Sequence, residues 1–150
     1  MKTKIISKIL LSLGLVFVLG SAITQVYGED ETLPVVSIHS TGDVTRGQTG
    51  SFVLKMNPPL MFGGIQVNFS VSGTAIQGVD YVALVSPAHI GQSGYGAMLV
   101  KTLPDPRGSA DRQAYSVVVT LKPGPGYAID AASSSAKMMI KPSNILPCCQ

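Results

Sequence analysis

Among residues able to do covalent chemistry, the run Gly91-Gln92-Ser93-Gly94-Tyr95 comes nearest to a known device, the Gly-x-Ser-x-Gly elbow that presents a serine nucleophile. It lacks what an elbow needs. Tyr95 occupies the last glycine position, no helix follows, and the only two histidines, His39 and His89, both precede Ser93. Neither histidine has a second ligand at metal spacing, so both read as ordinary strand-end or loop residues. Gly124-Pro125-Gly126 has no following Lys-Ser or Lys-Thr and no helix to offer its N-terminus to a phosphate, so it reads as a turn. Asn68-Phe69-Ser70 is a glycosylation sequon, which matters only in a eukaryotic secretory route. Cys148 and Cys149, the only thiols, are adjacent near the end of the chain. They bridge each other only through a strained ring and are too few for a tetrahedral zinc set, which leaves a plain tail or an intermolecular disulfide and homodimer. No catalytic constellation assembles, so the sequence reads as a non-enzyme.

The elements around these residues begin with a leader. Lys2, Lys4 and Lys8 precede an apolar run over residues 9–19, and small residues lead to Val26-Tyr27-Gly28. This is the three-part layout of a secretory signal peptide, with cleavage expected after Gly28 and Ala22 as the fallback. The apolar run is short of the ~20 residues that span a bilayer, so the mature chain carries no membrane span. Localisation is then secreted, periplasmic or at the cell surface. Three of the eleven basic residues fall in the leader, leaving eight against eight acidic ones. The remaining Lys and Arg are dispersed, which excludes nucleic acid as a partner.

With residues 1–28 removed, 29–33 read as a mobile acidic N-terminus, 34–141 as one domain, and 142–150 as a tail. Without a cysteine in residues 29–147, that domain folds on its apolar core alone. Period-two alternation marks the strands. Val35 to Ile38 opens the series, Phe52, Leu54 and Met56 share a face, and Ile65, Val67, Phe69 and Val71 are expected at the centre of the core. Residues 81–84 read as a short strand, and 97–103 as a longer one whose register the pattern leaves open: Met98, Val100 and Thr102 inward puts Lys101 in water but leaves Leu99 and Leu103 outside. Tyr115 to Leu121 and Ala136 to Ile140 complete the set. Leu60-Met61-Phe62, after Pro58-Pro59, reads as a loop tip that either plugs the core or offers an exposed apolar contact. No stretch of the mature chain carries a helical apolar stripe. The fold class is therefore all-β, an immunoglobulin-like antiparallel β-sandwich of about seven strands.

Val71-Ser72-Gly73-Thr74-Ala75 followed by Gly78-Val79-Asp80-Tyr81, then Val119-Thr120-Leu121 leading to Gly124-Pro125-Gly126-Tyr127 and a closing strand 135–140, resembles the Calx-beta domain. The likeness covers residues 34–141. It implies a non-enzymatic adhesion or cell-surface module whose partner is an extracellular or cell-surface protein. In calcium-binding members, loop carboxylates at one end of the sandwich hold the ion, and the matching residues here are Asp80, Asp105 and Asp111. Calcium is the one cofactor the resemblance implies, giving an alternative reading as a calcium-binding extracellular domain. The match is incomplete. Arg46 stands where the resemblance expects a Glu, and Pro106 where it expects the second acid of a pair. Three carboxylates facing an arginine make a poor calcium cage, because the ion takes six to eight oxygens. The expectation is that Arg46 or Arg112 pairs with Asp80 or Asp105, a fixed cation tying the loops in place of the metal.

Overall fold

Runs that alternate apolar and polar side chains pair edge to edge and turn their apolar faces inward. In the computed structural model, which describes residues 32–104, 107–108 and 110–143, this gives β1 Val35–Ser40, β2 Val44–Thr45, β3 Thr49–Asn57, β4 Ile65–Val67, β5 Phe69–Ser72, β6 Ala88–Ile90, β7 Tyr95–Lys101, β8 Tyr115–Leu121, β9 Ala128–Ile129 and β10 Ser135–Lys141. One sheet runs β7-β3-β1-β9, the other β2-β10-β8-β5, and β4 pairs with β6 in a two-stranded ribbon. Long antiparallel ladders carry both sheets. Two-residue parallel pairings, β1 with β9 and β2 with β10, add to their edges.

Val36, Ile38, Phe52, Leu54 and Val100 of the first sheet meet Val117, Val119, Met138 and Ile140 of the second, all buried. Each such side chain contributes about 1.5–3 kcal/mol on burial, the driving force in a domain without internal disulfides. Met98, Val100 and Thr102 point inward and Leu99 outward, which settles the register of β7. None of the helices among the described residues is long and apolar enough to cross a membrane.

Two strand expectations need correction. Residues 81–84 do not form a strand: Tyr81 makes a single bridge to Thr102, the Val82 N–H bonds to the Lys101 carbonyl, and the next ladder is β6 at 88–90. The run 65–71 alternates as expected but is two strands. β4 pairs with β6 in the ribbon while β5 pairs with β8 in the second sheet, and of the four only Val67 and Phe69 are buried, with Ile65 and Val71 partly buried against the core.

The switch at Asn68 leaves backbone groups that no ladder can satisfy, and hydroxyls take them. The Asn68 N–H donates to the Tyr127 hydroxyl at 3.0 Å, that hydroxyl donates to the Lys122 carbonyl at 2.6 Å, and the Phe69 N–H donates to Ser86 Oγ at 3.0 Å. Tyr127→Phe strands one donor and one acceptor in a partly buried place. It is expected to lower the unfolding free energy by about 1–2 kcal/mol, read from urea melts, with the apolar ring still in place.

Candidate functional site: an arginine-filled rim

The start of β3, the ends of β1, β7 and β10, β2 and the start of β8 all meet at one end of the sandwich, as their registers require. Three features of sequence build the rim there. Gly73 begins the first, with φ of 121°, a backbone shape that side-chain-bearing residues rarely adopt. It lets Thr74 clasp β8: the Thr74 N–H donates to Ser116 Oγ at 3.1 Å, the Ser116 N–H to Thr74 Oγ1 at 2.9 Å, and the Ala75 N–H to the Ser116 carbonyl at 3.0 Å. The Gly-Thr-Ala block is thus a fastener between the β5 exit and β8.

The second feature is the Gly-Val-Asp-Tyr corner. Gly78, at φ 78°, donates its N–H to the Tyr81 carbonyl, and the Asp80 N–H bonds back to the Ile76 carbonyl at 2.8 Å. This winds the chain so that Asp80 and Tyr81 both turn inward, each about 1% exposed. The Asp80 carboxylate accepts from the Ile76 N–H at 2.7 Å and, bidentately, from Arg107 Nε and NH2, each at 2.8 Å. Parallel N–H donors on a planar fork match the two carboxylate oxygens, the strongest geometry such a pair adopts.

Arg46, immediately after β2, supplies the third. Its side chain is 1% exposed, and its NH2 donates to Asp111 Oδ2 at 2.9 Å and to the Gln113 carbonyl at 3.2 Å, while NH1 donates to the Asp111 carbonyl at 3.0 Å. Asp111 also accepts from the Gln113 N–H at 2.9 Å and from the Tyr115 hydroxyl at 3.0 Å. The Tyr115 ring lies between the systems, with the Arg107 guanidinium carbon 4.2 Å and that of Arg46 5.4 Å from its centroid. Both contacts are within cation–π range.

Each described carboxylate at this rim has a cation partner. Asp80 pairs with Arg107, Asp111 with Arg46, and the more exposed Asp43 with Lys141 at 2.9 Å. The Arg107 hydrogen bond holds the Asp80 carboxyl below the ordinary carboxylate value, overcoming the opposing effect of burial. In return Asp80 raises the Arg107 guanidinium. The Gln113 N–H, then Tyr115 and Arg46, lower Asp111, again against desolvation. All three carboxylates are anions with their oxygens engaged.

Fixed cations at the rim appear as the sequence led one to expect, but with different partners. Arg107, not Arg46 or Arg112, takes Asp80; Arg46 takes Asp111; and Arg112 reaches out to the Ser143 carbonyl at 3.2 Å. Arg107 was legible only as a basic residue in a loop where the resemblance called for acids, and Tyr115 only as a strand residue. Asp105, Pro106, Cys148, Cys149, the leader and residues 29–31 lie outside the described residues. No group of three or more His, Cys, Asp or Glu suited to a metal occurs among the described residues. The described donors fit calcium poorly, since an incoming ion must displace a guanidinium from Asp80 and from Asp111. Ser93 lies in the β6–β7 turn and hydrogen-bonds to neither histidine; the His89 ring instead lies 3.4 Å from Gln66 Nε2.

No family model matches the sequence, and no curated protein matches it. Solved structures do resemble the fold. CBD12 from CALX1.2 superposes with a TM-score of 0.57 at 13% identity, over 72% of this chain and 45% of that one. The apo-form Calx CBD1 domain gives 0.55 at 14% identity, over 75% of this chain and 99% of that one. The calcium binding domain CBD12 of CALX1.1 gives 0.55 at 14%, over 71% and 44%. This chain thus spans under half of the two CBD12 structures and nearly all of CBD1. The fold is that of the Calx-beta domains, as the Gly73 to Tyr81 block implied.

Proposed function

We propose that this chain is an exported, non-enzymatic Calx-beta-type module for adhesion or cell-surface interaction, held together by arginine–aspartate pairs at the rim where its calcium-binding counterparts hold the ion. The observation that carries this reading is the one-to-one pairing of Asp80, Asp111 and Asp43 with Arg107, Arg46 and Lys141. A guanidinium fixed in both directions by hydrogen bonds does for the loops what a shared cation would do, without depending on the ion's concentration. The sandwich is then a metal-independent scaffold, and its loops are the contact surface for an extracellular or cell-surface protein.

The competing reading, calcium bound through Asp80, Asp105 and Asp111, is favoured by the name of one structural counterpart, a calcium binding domain. Thermal melting separates the two. A ligand that binds only the folded state raises the midpoint, by an amount equivalent to about 2.7 kcal/mol at one hundred times its dissociation constant. The expected result is the same midpoint in chelator and in millimolar calcium, with attachment to the cell surface surviving chelation. A midpoint that climbs with calcium, or attachment lost on its removal, overturns the metal-independent reading.

A further inference from the structure

The loop tip after β3 divides, with Leu60 packed against the core and Met61 and Phe62 exposed. A bare tip names no occupant, whereas an unpaired sheet edge does. β7 is the outer strand of the first sheet, and its ladder is with β3 alone. The Thr102 N–H bonds to the Gln48 carbonyl and the Met56 N–H to the Gly94 carbonyl, so even-numbered residues along β7 turn their backbone groups toward β3. Odd-numbered ones turn theirs outward. The Lys101 carbonyl accepts from the Val82 N–H at 2.9 Å, and the Tyr95 carbonyl from the Gly91 N–H at 3.2 Å. Between these two covered ends, the N–H and C=O of Ala97 and of Leu99 have no hydrogen-bond partner among the described residues.

A strand begins beside this edge and then leaves it. Tyr81 bridges Thr102 in antiparallel sense, but beyond Val82 the Leu84 N–H donates to Gln77 Oε1 at 3.2 Å, and Ser86 Oγ takes the Phe69 N–H of β5 in the other sheet. The slot that residues 83–86 would fill in a longer strand is therefore open, with Val82 and Leu99 exposed beside it.

The other sheet edges are blunted. β2 and β9 have two residues each, and β5 has four, one of them already bonded to Ser86. β7 has seven, Tyr-Gly-Ala-Met-Leu-Val-Lys, with no proline and one charge at its end. A long apolar edge of this kind is a template for another strand. Donors and acceptors repeating along an extended backbone are complemented by a second extended backbone, whose own N–H and C=O groups have the same spacing. The β7 edge of a second copy does not fit, because Val82 and Gly91 stand beside the ends of both edges and would collide before the strands reached the ~5 Å of a ladder. Charge at the slot points to the partner's sequence. Lys101 closes one end, and Lys55, opposite Tyr95 on β3, lies beside the other; both are exposed, and neither is in an ion pair among the described residues. Acidic residues at the ends of an entering strand complement them.

We propose that the outer edge of β7 docks an extended segment of a partner protein, which adds as an antiparallel strand beside Ala97 and Leu99, apolar in its middle and acidic at its ends. The inference rests on the reading of this chain as an interaction module, and its test is separate from the calcium melts that decide the rim. The probe is a capped synthetic peptide, Glu-Val-Thr-Val-Thr-Val-Glu. Saturable binding is expected, with the Ala97 and Leu99 amide protons gaining protection from hydrogen exchange. N-methyl groups on every second peptide amide abolish binding in one phase, where they face the slot, and spare it in the other. Ala97→Pro removes one outward N–H and no bond to β3, and weakens binding about tenfold at an unchanged melting midpoint. The methylated peptides carry the test if that variant does not fold. No saturable binding at millimolar peptide overturns the proposal, as does binding indifferent to methylation in both phases. So does a free protein that self-associates with Ala97 and Leu99 already protected, which assigns the edge to a second copy.

Discussion

Arg107→Ala is expected to lower the unfolding free energy by about 3–5 kcal/mol, a fall in melting midpoint on the order of 10 °C or more. The reason is what the variant leaves behind. Asp80 has a side chain 0% exposed, and without Arg107 the one donor left to its carboxylate among the described residues is the Ile76 N–H at 2.7 Å. An anion in that position has lost water and its partner together, and removing one half of a buried pair costs far more than the pair itself contributes. Adding Asp80→Asn to Arg107→Ala is expected to recover part of the loss, because a neutral amide needs no counter-ion. A deficit below about 1 kcal/mol for the single variant would class the pair with surface salt bridges and remove the clamp from the account of the rim.

Acid gives the same pair a second signature. The folded-state carboxyl of Asp80 sits below its ordinary value of 3.8, chiefly through Arg107, and Asp111 is lowered likewise by its own donors. A depressed group contributes stability that is complete above its unfolded value and is lost as pH falls through 3.8 toward the folded one. The native protein therefore holds its midpoint down to about pH 5 and loses it progressively below. In Arg107→Ala, burial acts on Asp80 without its main opponent, so protonation relieves the stranded charge. The gap between variant and native protein narrows as pH falls toward 3, and a gap of constant width across that range would count against charge as the cause.

Gly73→Ala is the second large expected effect, on the order of 3–5 kcal/mol. At φ 121° an alanine is strained by about 1–3 kcal/mol before any contact is considered. Its Cβ would also come within 2.2 Å of the Ser116 carbonyl oxygen, a backbone atom held in the β8 ladder. The turn must therefore pull away from β8, breaking Thr74 and Ala75 bonds worth about 1 kcal/mol each. Gly42 is an internal control. It has the same φ of 121°, and a Cβ there would meet nothing within 4 Å, so Gly42→Ala reports the backbone strain alone. Equal losses at the two positions, read from chemical melts, would show that the clasp to Ser116 contributes nothing.

The same comparison shows how unevenly the fold was legible. Long alternating runs such as Thr49–Asn57 and Tyr115–Leu121 declare themselves, because a side-chain period of two admits one inward face and a slip of one residue would turn every apolar group to water. The two-residue strands β2 and β9 carry no pattern long enough to read. The break at Asn68 was hidden for a related reason: alternation runs straight through it, and the change of pairing shows only in contacts with distant residues, among them the Tyr127 hydroxyl, 59 residues from Asn68, and Ser86, 17 residues from Phe69.

At the rim, the family resemblance already implied that carboxylates were few and that an arginine stood among them, which was enough to expect a fixed cation. It could not say which one. A long, flexible guanidinium finds its partner by the three-dimensional path of two loops, so the pairing of Arg107 with Asp80 and of Arg46 with Asp111 was settled only when β2, β8 and the Gly78 to Tyr81 corner came together. The amino-acid order by itself determined the all-β class, the inward faces of the long strands and the turn glycines, since these follow from backbone sterics and short-range periodicity. Tertiary structure alone decided which charges meet, which strand switches sheets and which apolar residues stay outside, because each depends on groups brought together from distant parts of the chain.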